Sequence, residues 1–89
     1  MAKIIKAASA GTLESSDVYV EVEPGTGVEI TLDSVVQQQF GASILESVED
    51  VVRQQGIEDV KLRISDRGAL DCVIRARVET AILRGKGDA

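Results

Sequence analysis

The chain has no histidine and no tryptophan, and only one residue each of cysteine, proline, methionine, phenylalanine and tyrosine among its 89. Each shortage removes a class of function. Without histidine there is no side chain whose ordinary pKa suits general-base work at neutral pH, and no imidazole to activate a serine or cysteine. A single cysteine, Cys72, forbids an internal disulfide, and without histidine it cannot make a zinc site. No stretch approaches the ~20 apolar residues of a membrane span. The apolar start Met1-Ala2-Lys3-Ile4-Ile5-Lys6 is interrupted by Lys6 before signal-peptide length, so the chain is expected to be cytoplasmic, with no membrane partner. Basic residues are also scarce, ten Lys and Arg against fifteen Asp and Glu, for a net charge of −5. That balance argues against nucleic acid, whose phosphates demand clustered Lys or Arg. The charge is uneven: residues 1–60 hold three basic and eleven acidic side chains, residues 61–89 seven basic and four acidic. A basic partner surface suits such a chain better.

The length gives one domain, 1–89, with one core and no room for a catalytic cleft plus a substrate domain. Residues 1–3 and the Gly-rich tail 85–89 are expected to be loose. With one phenylalanine, the core must be mainly aliphatic.

Residues Lys3 to Ala10 form a possible first strand or extended arm. Val18, Val20 and Val22 alternate with Tyr19, Glu21 and Glu23; after Pro24-Gly25-Thr26-Gly27, Val28, Ile30 and Leu32 alternate with Glu29 and Thr31. This period of two predicts a β-hairpin with a loop of about four residues. A helix capped at Asp33 or Ser34 is predicted to continue to Gln55 and stop at Gly56. Phe40, Ile44, Leu45, Val48, Val51 and Val52 fall on its apolar side, with Phe40 as a core anchor whose loss to alanine would cost roughly 3–5 kcal/mol if it is buried. Val60, Leu62 and Ile64 predict another strand. A second helix, Ala69 to about Arg84, is predicted to be capped at Ser65 or Asp66 and released at Gly85. Leu70, Ile74, Val78, Ala81 and Ile82 make one apolar side of it, and Ala69, Cys72, Val73, Ala76 and Leu83 a second. Asp71, Arg75 and Glu79 lie between them as an i, i+4 charge ladder. The second side meets either the first helix or another subunit; Cys72 is read as a small core residue. The assembled order is β-β-β-α-β-α: an α+β domain with a mainly antiparallel sheet of three to four strands and two helices on one face.

Between the arm and the first valine strand lies Ala10-Gly11-Thr12-Leu13-Glu14-Ser15-Ser16-Asp17, small and hydroxylated with no periodicity, which predicts an exposed turn. Leu13 and Val18 would anchor its ends. Ser15 and Ser16 have no histidine and no neighbouring lysine to activate them, so neither is a catalytic nucleophile; no catalytic or metal-binding residue is predicted in the chain. Either the pair simply turns the chain, or an exposed serine accepts a group from another enzyme. Glu14 and Asp17 could pair as metal ligands or as acid and base, but exposed turn carboxylates more often only solvate the turn.

The stretch from Ala10 to Val18 resembles the N-terminal signature of the citrate lyase acyl carrier protein family. Gln39-Phe40-Gly41 and the run from Asp66 to Glu79 are similar to the same family, and the three blocks stand in the right order from near Ile4 to about Arg84. The resemblance implies a subunit without catalysis of its own that carries acetyl and citryl thioesters on a phosphoribosyl-dephospho-coenzyme A arm. It implies that the arm is joined by a phosphodiester to the first serine of the Glu-Ser-x-Asp element, here Ser15, with Ser16 as the fallback. Ser16 stands where many relatives have glycine. The implied partners are the transferase (alpha) and lyase (beta) subunits of citrate lyase and a prosthetic-group transferase. A related carrier or adaptor, such as that of malonate decarboxylase, is the alternative. Of Arg67, Arg75 and Arg77, ordinarily surface charges, one could hold a phosphate of the arm or an acidic patch on a lyase subunit. Arg77, between the apolar sides of its helix, is the best placed. Asp33-Ser34-Val35 looks like the phosphopantetheine site of the four-helix carriers, but it follows a strand and not a helix, so an ordinary N-cap pair is expected there.

Overall fold

The alternating valines form strands, but not with the neighbours their order suggests. The computed structural model describes residues 3–87 as β1 (Ala8–Gly11), β2 (Val18–Glu23), β3 (Val28–Ser34), α1 (Gln37–Gln54), β4 (Val60–Asp66) and α2 (Asp71–Lys86). The sheet order is β1-β2-β4-β3, antiparallel except for the parallel β3/β4 pair. The α+β class, the element order and the helices on one face stand; the predicted β2/β3 hairpin does not. Alternation fixes which face a residue occupies, not which strand lies beside it. Strands sit ~4.8 Å apart, so crossing over one needs about 10 Å, within the ~13 Å that four extended residues span. The linker makes that crossing: Val60 N–H donates to Gly27 O at 2.9 Å, and Gly27 N–H to Asp59 Oδ1 at 2.7 Å. β4 therefore takes the central place and is the better buried strand, with Val60, Leu62 and Ile64 at 0–1% exposure, while Val28 on edge strand β3 is 47% exposed.

One face of the sheet, carrying Val18, Val20, Val22, Val60, Leu62 and Ile64, is covered by Ile44, Val48, Val51 and Val52 of α1 and Ile74, Val78, Ala81 and Ile82 of α2. The helices meet along a polar seam. The Ser47 hydroxyl donates to Asp71, and Arg75 pairs with both Asp71 (2.9 Å) and Asp50 (3.2 Å). Glu79, the third rung of the expected ladder, pairs with nothing among the described residues.

Several boundaries shift. Ser34 does not cap α1: it ends β3, its hydroxyl donating to Asp66 Oδ2 (2.7 Å) and accepting from Val36 N–H (3.1 Å). The helix starts three residues later, with Val36 at its N-cap, and Gly56 (φ 68) ends it as expected. Asp66 is 1% exposed and its Oδ1 accepts Ala69 N–H at 3.0 Å, which fixes the turn into α2 but leaves Leu70 at the N-cap. α2 is not released at Gly85. That residue is buried within the helix, where a Cβ would lie 2.9 Å from Val22 Cγ2, and Gly87 (φ 84) makes the C-cap. Of the ends expected to be loose, residues 1, 2, 88 and 89 lie outside the described residues.

Phe40 and Cys72 are corrections to the predicted core. Because α1 begins at Gln37, Phe40 falls in its first turn, past the end of the sheet, and is 53% exposed. Cys72 is exposed because that flank of α2, shared with Ala76, is covered by nothing among the described residues. Phe40→Ala is therefore expected to cost only about 1 kcal/mol in urea unfolding, against about 2–5 kcal/mol for Leu62→Ala in the central strand. Equal losses in the two variants would contradict the observed packing.

Candidate functional site

The turn before β2 is held by one carboxylate. β1 ends at Gly11, in the left-handed region at φ 91, and residues 12–17 lead into β2. Asp17, its side chain 15% exposed, gathers the loop around itself. Its Oδ2 accepts from the Thr12 hydroxyl at 2.7 Å and its Oδ1 from Val18 N–H at 2.8 Å. Arg77 reaches over from α2 and donates to both oxygens, from Nε at 3.2 Å and Nη2 at 3.3 Å. Thr12 Oγ1 also accepts Glu14 N–H, and Glu14 O accepts Asp17 N–H at 3.1 Å, closing a tight turn over Ser15 and Ser16. Two backbone bonds fasten this turn to the start of the β4–α2 connection. Ser16 N–H donates to Arg67 O (2.8 Å) and Arg67 N–H to Asp17 O (2.9 Å).

The Thr12 hydroxyl, the Val18 N–H and the Arg77 guanidinium all favour the ionised carboxylate and hold Asp17 below its ordinary pKa. Ser47 and Arg75 do the same for Asp71. A depressed folded-state pKa makes the unfolded chain bind more protons in acid. The stabilisation is complete above the ordinary aspartate value of 3.8 and is lost as pH falls through the lower folded value. The melting temperature is expected to fall as the pH drops below about 4, with a shallower acid slope in Asp17→Asn than in the wild type, followed by circular dichroism. An unchanged slope in Asp17→Asn would mean that Asp17 is not held as described.

Ser15 and Ser16 are both exposed but not equivalent. Neither Ser15 Oγ nor Ser16 Oγ has a hydrogen-bond partner among the described residues, so the difference lies in the backbone. Ser16 sits at φ 65, a conformation glycine adopts freely, and its backbone is tied to Arg67. The expected loop anchors divide: Val18 is fully buried, whereas Leu13 is 56% exposed and anchors nothing. Arg77 lies at the loop with its guanidinium engaged by Asp17, and Arg75 is engaged in the helix seam. The role of Asp17 and Thr12 was missed, because two exposed turn carboxylates ordinarily have no partner and Arg77 lies 60 residues away. Among the described residues no cluster of three or more acidic or cysteine side chains could hold a metal ion, and no helix is long and apolar enough to cross a membrane.

A family model described as ACP, Malonate decarboxylase delta subunit (MdcD), matches residues 5–85. The citrate lyase acyl carrier protein of Haemophilus ducreyi is 47% identical over 87 residues, 98% of this chain and 92% of the relative. That of Vibrio cholerae is 50% identical over 84 residues, 92% of this chain and 86% of the relative. The chain belongs to the citrate lyase acyl carrier protein family. As an acyl carrier it is a non-catalytic subunit. A chain in the crystal structure of a Pseudomonas malonate decarboxylase hetero-tetramer in complex with malonate superposes on this carrier with a TM-score of 0.81 at 24% identity, covering 92% of this chain and 86% of that one. The likeness to it is one of fold, and in sequence the citrate lyase carriers are about twice as similar.

Proposed function

We propose that Ser15 is the attachment point of the acyl-carrying arm, a phosphoribosyl-dephospho-coenzyme A joined through a phosphodiester, as the family resemblance implies. The observation that carries this reading is the contrast within one loop. Thr12 and Asp17 are bonded inward, and Ser16 carries its unbonded hydroxyl on a left-handed backbone fastened to Arg67, whereas Ser15 presents an exposed, unbonded Oγ from an unstrained backbone. An enzyme that loads the chain needs an accessible hydroxyl at a fixed place, and Asp17 and Arg77 supply the fixity. Arg77 is thus a positioning residue for the loop. Bound there, the arm supplies the thiol that carries the acyl group. The chain contributes a rigid base on which a long tether can turn, keeping the thioester at high effective concentration for two separate active sites.

The partners follow from the same reading: the transferase (alpha) subunit, which exchanges acetyl for citryl, the lyase (beta) subunit, which releases oxaloacetate, and a prosthetic-group transferase, all in the cytoplasm. Matured chain added to alpha and beta subunits is expected to restore citrate cleavage, and chain made without the loading enzymes is expected to restore none. A malonate decarboxylase carrier is the second reading, favoured by the description of the matching family model. Co-purification with decarboxylase subunits, and no cleavage of citrate on reconstitution, would decide for it.

A further inference from the structure

We infer that Arg67, together with the apolar cleft that begins at Gly68, is the resting cradle of the arm; the inference rests on the proposal that Ser15 carries it. Of the three arginines that the sequence offers for a phosphate, two are already engaged: Arg77 holds Asp17, and Arg75 holds Asp50 and Asp71 in the helix seam. The Arg67 guanidinium is exposed and has no partner among the described residues. Its backbone is nevertheless fixed on both sides, by Ser16 N–H at 2.8 Å and Asp17 O at 2.9 Å. The Arg67 backbone is therefore held beside the residue that follows Ser15, and its side chain bears a guanidinium that no described residue neutralises. A phosphodiester on Ser15 Oγ would bring a negative charge to that place, and a guanidinium binds phosphate oxygens through two parallel N–H donors. The phosphate-holding role that the sequence pointed to at Arg77 thus falls to Arg67.

One residue beyond Arg67 the surface changes character. Gly68, at φ 87, turns the chain into a cleft of about 300 Å³ lined by Val36, Phe40, Ile44, Ala69, Leu70 and Ile74. Phe40 is 53% and Leu70 72% exposed, an unusual outlay of apolar surface on a chain with a single phenylalanine. Asp71 at the cleft's edge does not oppose an anion there with a free charge, since Ser47 and Arg75 engage it. The cleft opens at Gly68, next in the chain to Arg67, whose backbone is bonded to the attachment loop, so the inferred path of the arm runs from Ser15 past Arg67 into it. The arm is the committed occupant: its phosphate on Arg67, its less polar length along Phe40 and Leu70.

The test uses full-length protein matured with its loading enzyme, compared with the unloaded chain by NMR and intact mass. On loading, the Arg67 Nε–H, Phe40 ring and Leu70 methyl signals are expected to shift. In loaded Arg67→Gln the Phe40 and Leu70 signals should return toward their unloaded positions, and a phosphodiesterase should release the arm about two- to fivefold faster, as for loss of an exposed ion pair. Arg67→Lys should lie between. An adduct present by mass, with all three signals unmoved and release unchanged in Arg67→Gln, would overturn the inference while leaving the Ser15 assignment intact. Signals that move only when partner subunits are added to unloaded chain would also overturn it, making the cleft a protein-docking surface. A matured chain without an adduct would overturn the Ser15 assignment, and this inference with it.

Discussion

Ser15→Ala is expected to take up no prosthetic group at all and to melt like the wild type. Its hydroxyl makes no hydrogen bond among the described residues and its side chain is exposed, so the substitution removes the acceptor and nothing else. The neighbouring serine behaves differently. Ser16→Gly is expected to load normally, because φ 65 suits glycine and relieves about 1 kcal/mol of left-handed strain. Ser16→Val is expected to load poorly and to melt lower, since a β-branched residue resists that conformation and the bond to Arg67 depends on it. Intact mass after maturation, with a thermal melt of each variant, reads both effects. A Ser15→Ala chain that gains the adduct would move the attachment elsewhere, first to Ser16.

Gly11→Ala is expected to be among the most damaging single substitutions in the chain. At φ 91 an added Cβ would lie 1.8 Å from the carbonyl oxygen of Val18 and 3.4 Å from Arg77 Cδ. The left-handed backbone costs a side chain about 1–3 kcal/mol, and the collision with a backbone oxygen cannot be relieved by any rotamer. A loss above about 3 kcal/mol is expected in urea unfolding, a large share of the net stability of a small domain. The variant should also load slowly, because Gly11 is where β1 gives way to the Ser15 loop. Gly27→Ala supplies the control: its φ is 72, but nothing lies within 4 Å, so only the backbone strain should appear. Equal stability of the two variants would show that the β1 edge is not held against Val18 as described.

These two sites differ in how far they were legible. Glycine at position 11 and hydroxyls at 15 and 16 belong to a motif visible in the sequence, and their exposure followed from the lack of periodicity. The geometry that makes them unequal, φ 65 at Ser16 and a carbonyl packed against Gly11, depends on β1 pairing with β2 and on Arg67, far along the chain. The valine alternation gave β2, β3 and β4 nearly to the residue. Strand neighbours were not readable, because a four-residue linker serves a hairpin and a crossing over one strand equally well. Phe40 was misjudged for a related reason. A helical wheel reports the side of the helix, but the depth at which a residue sits depends on where the helix begins relative to the sheet, and Ser34 was needed to end β3. The place of Arg77 between two apolar sides is readable in the sequence, while the carboxylate it meets, Asp17, emerges only from the fold.

The most direct measurement is the mass of the fully matured wild-type chain, followed by sequencing of its fragments to locate any added group. A single nucleotide-containing adduct confined to Ser15 is the expected result. A matured chain of unmodified mass, or an adduct borne by Ser34 with Ser15 untouched, would contradict it.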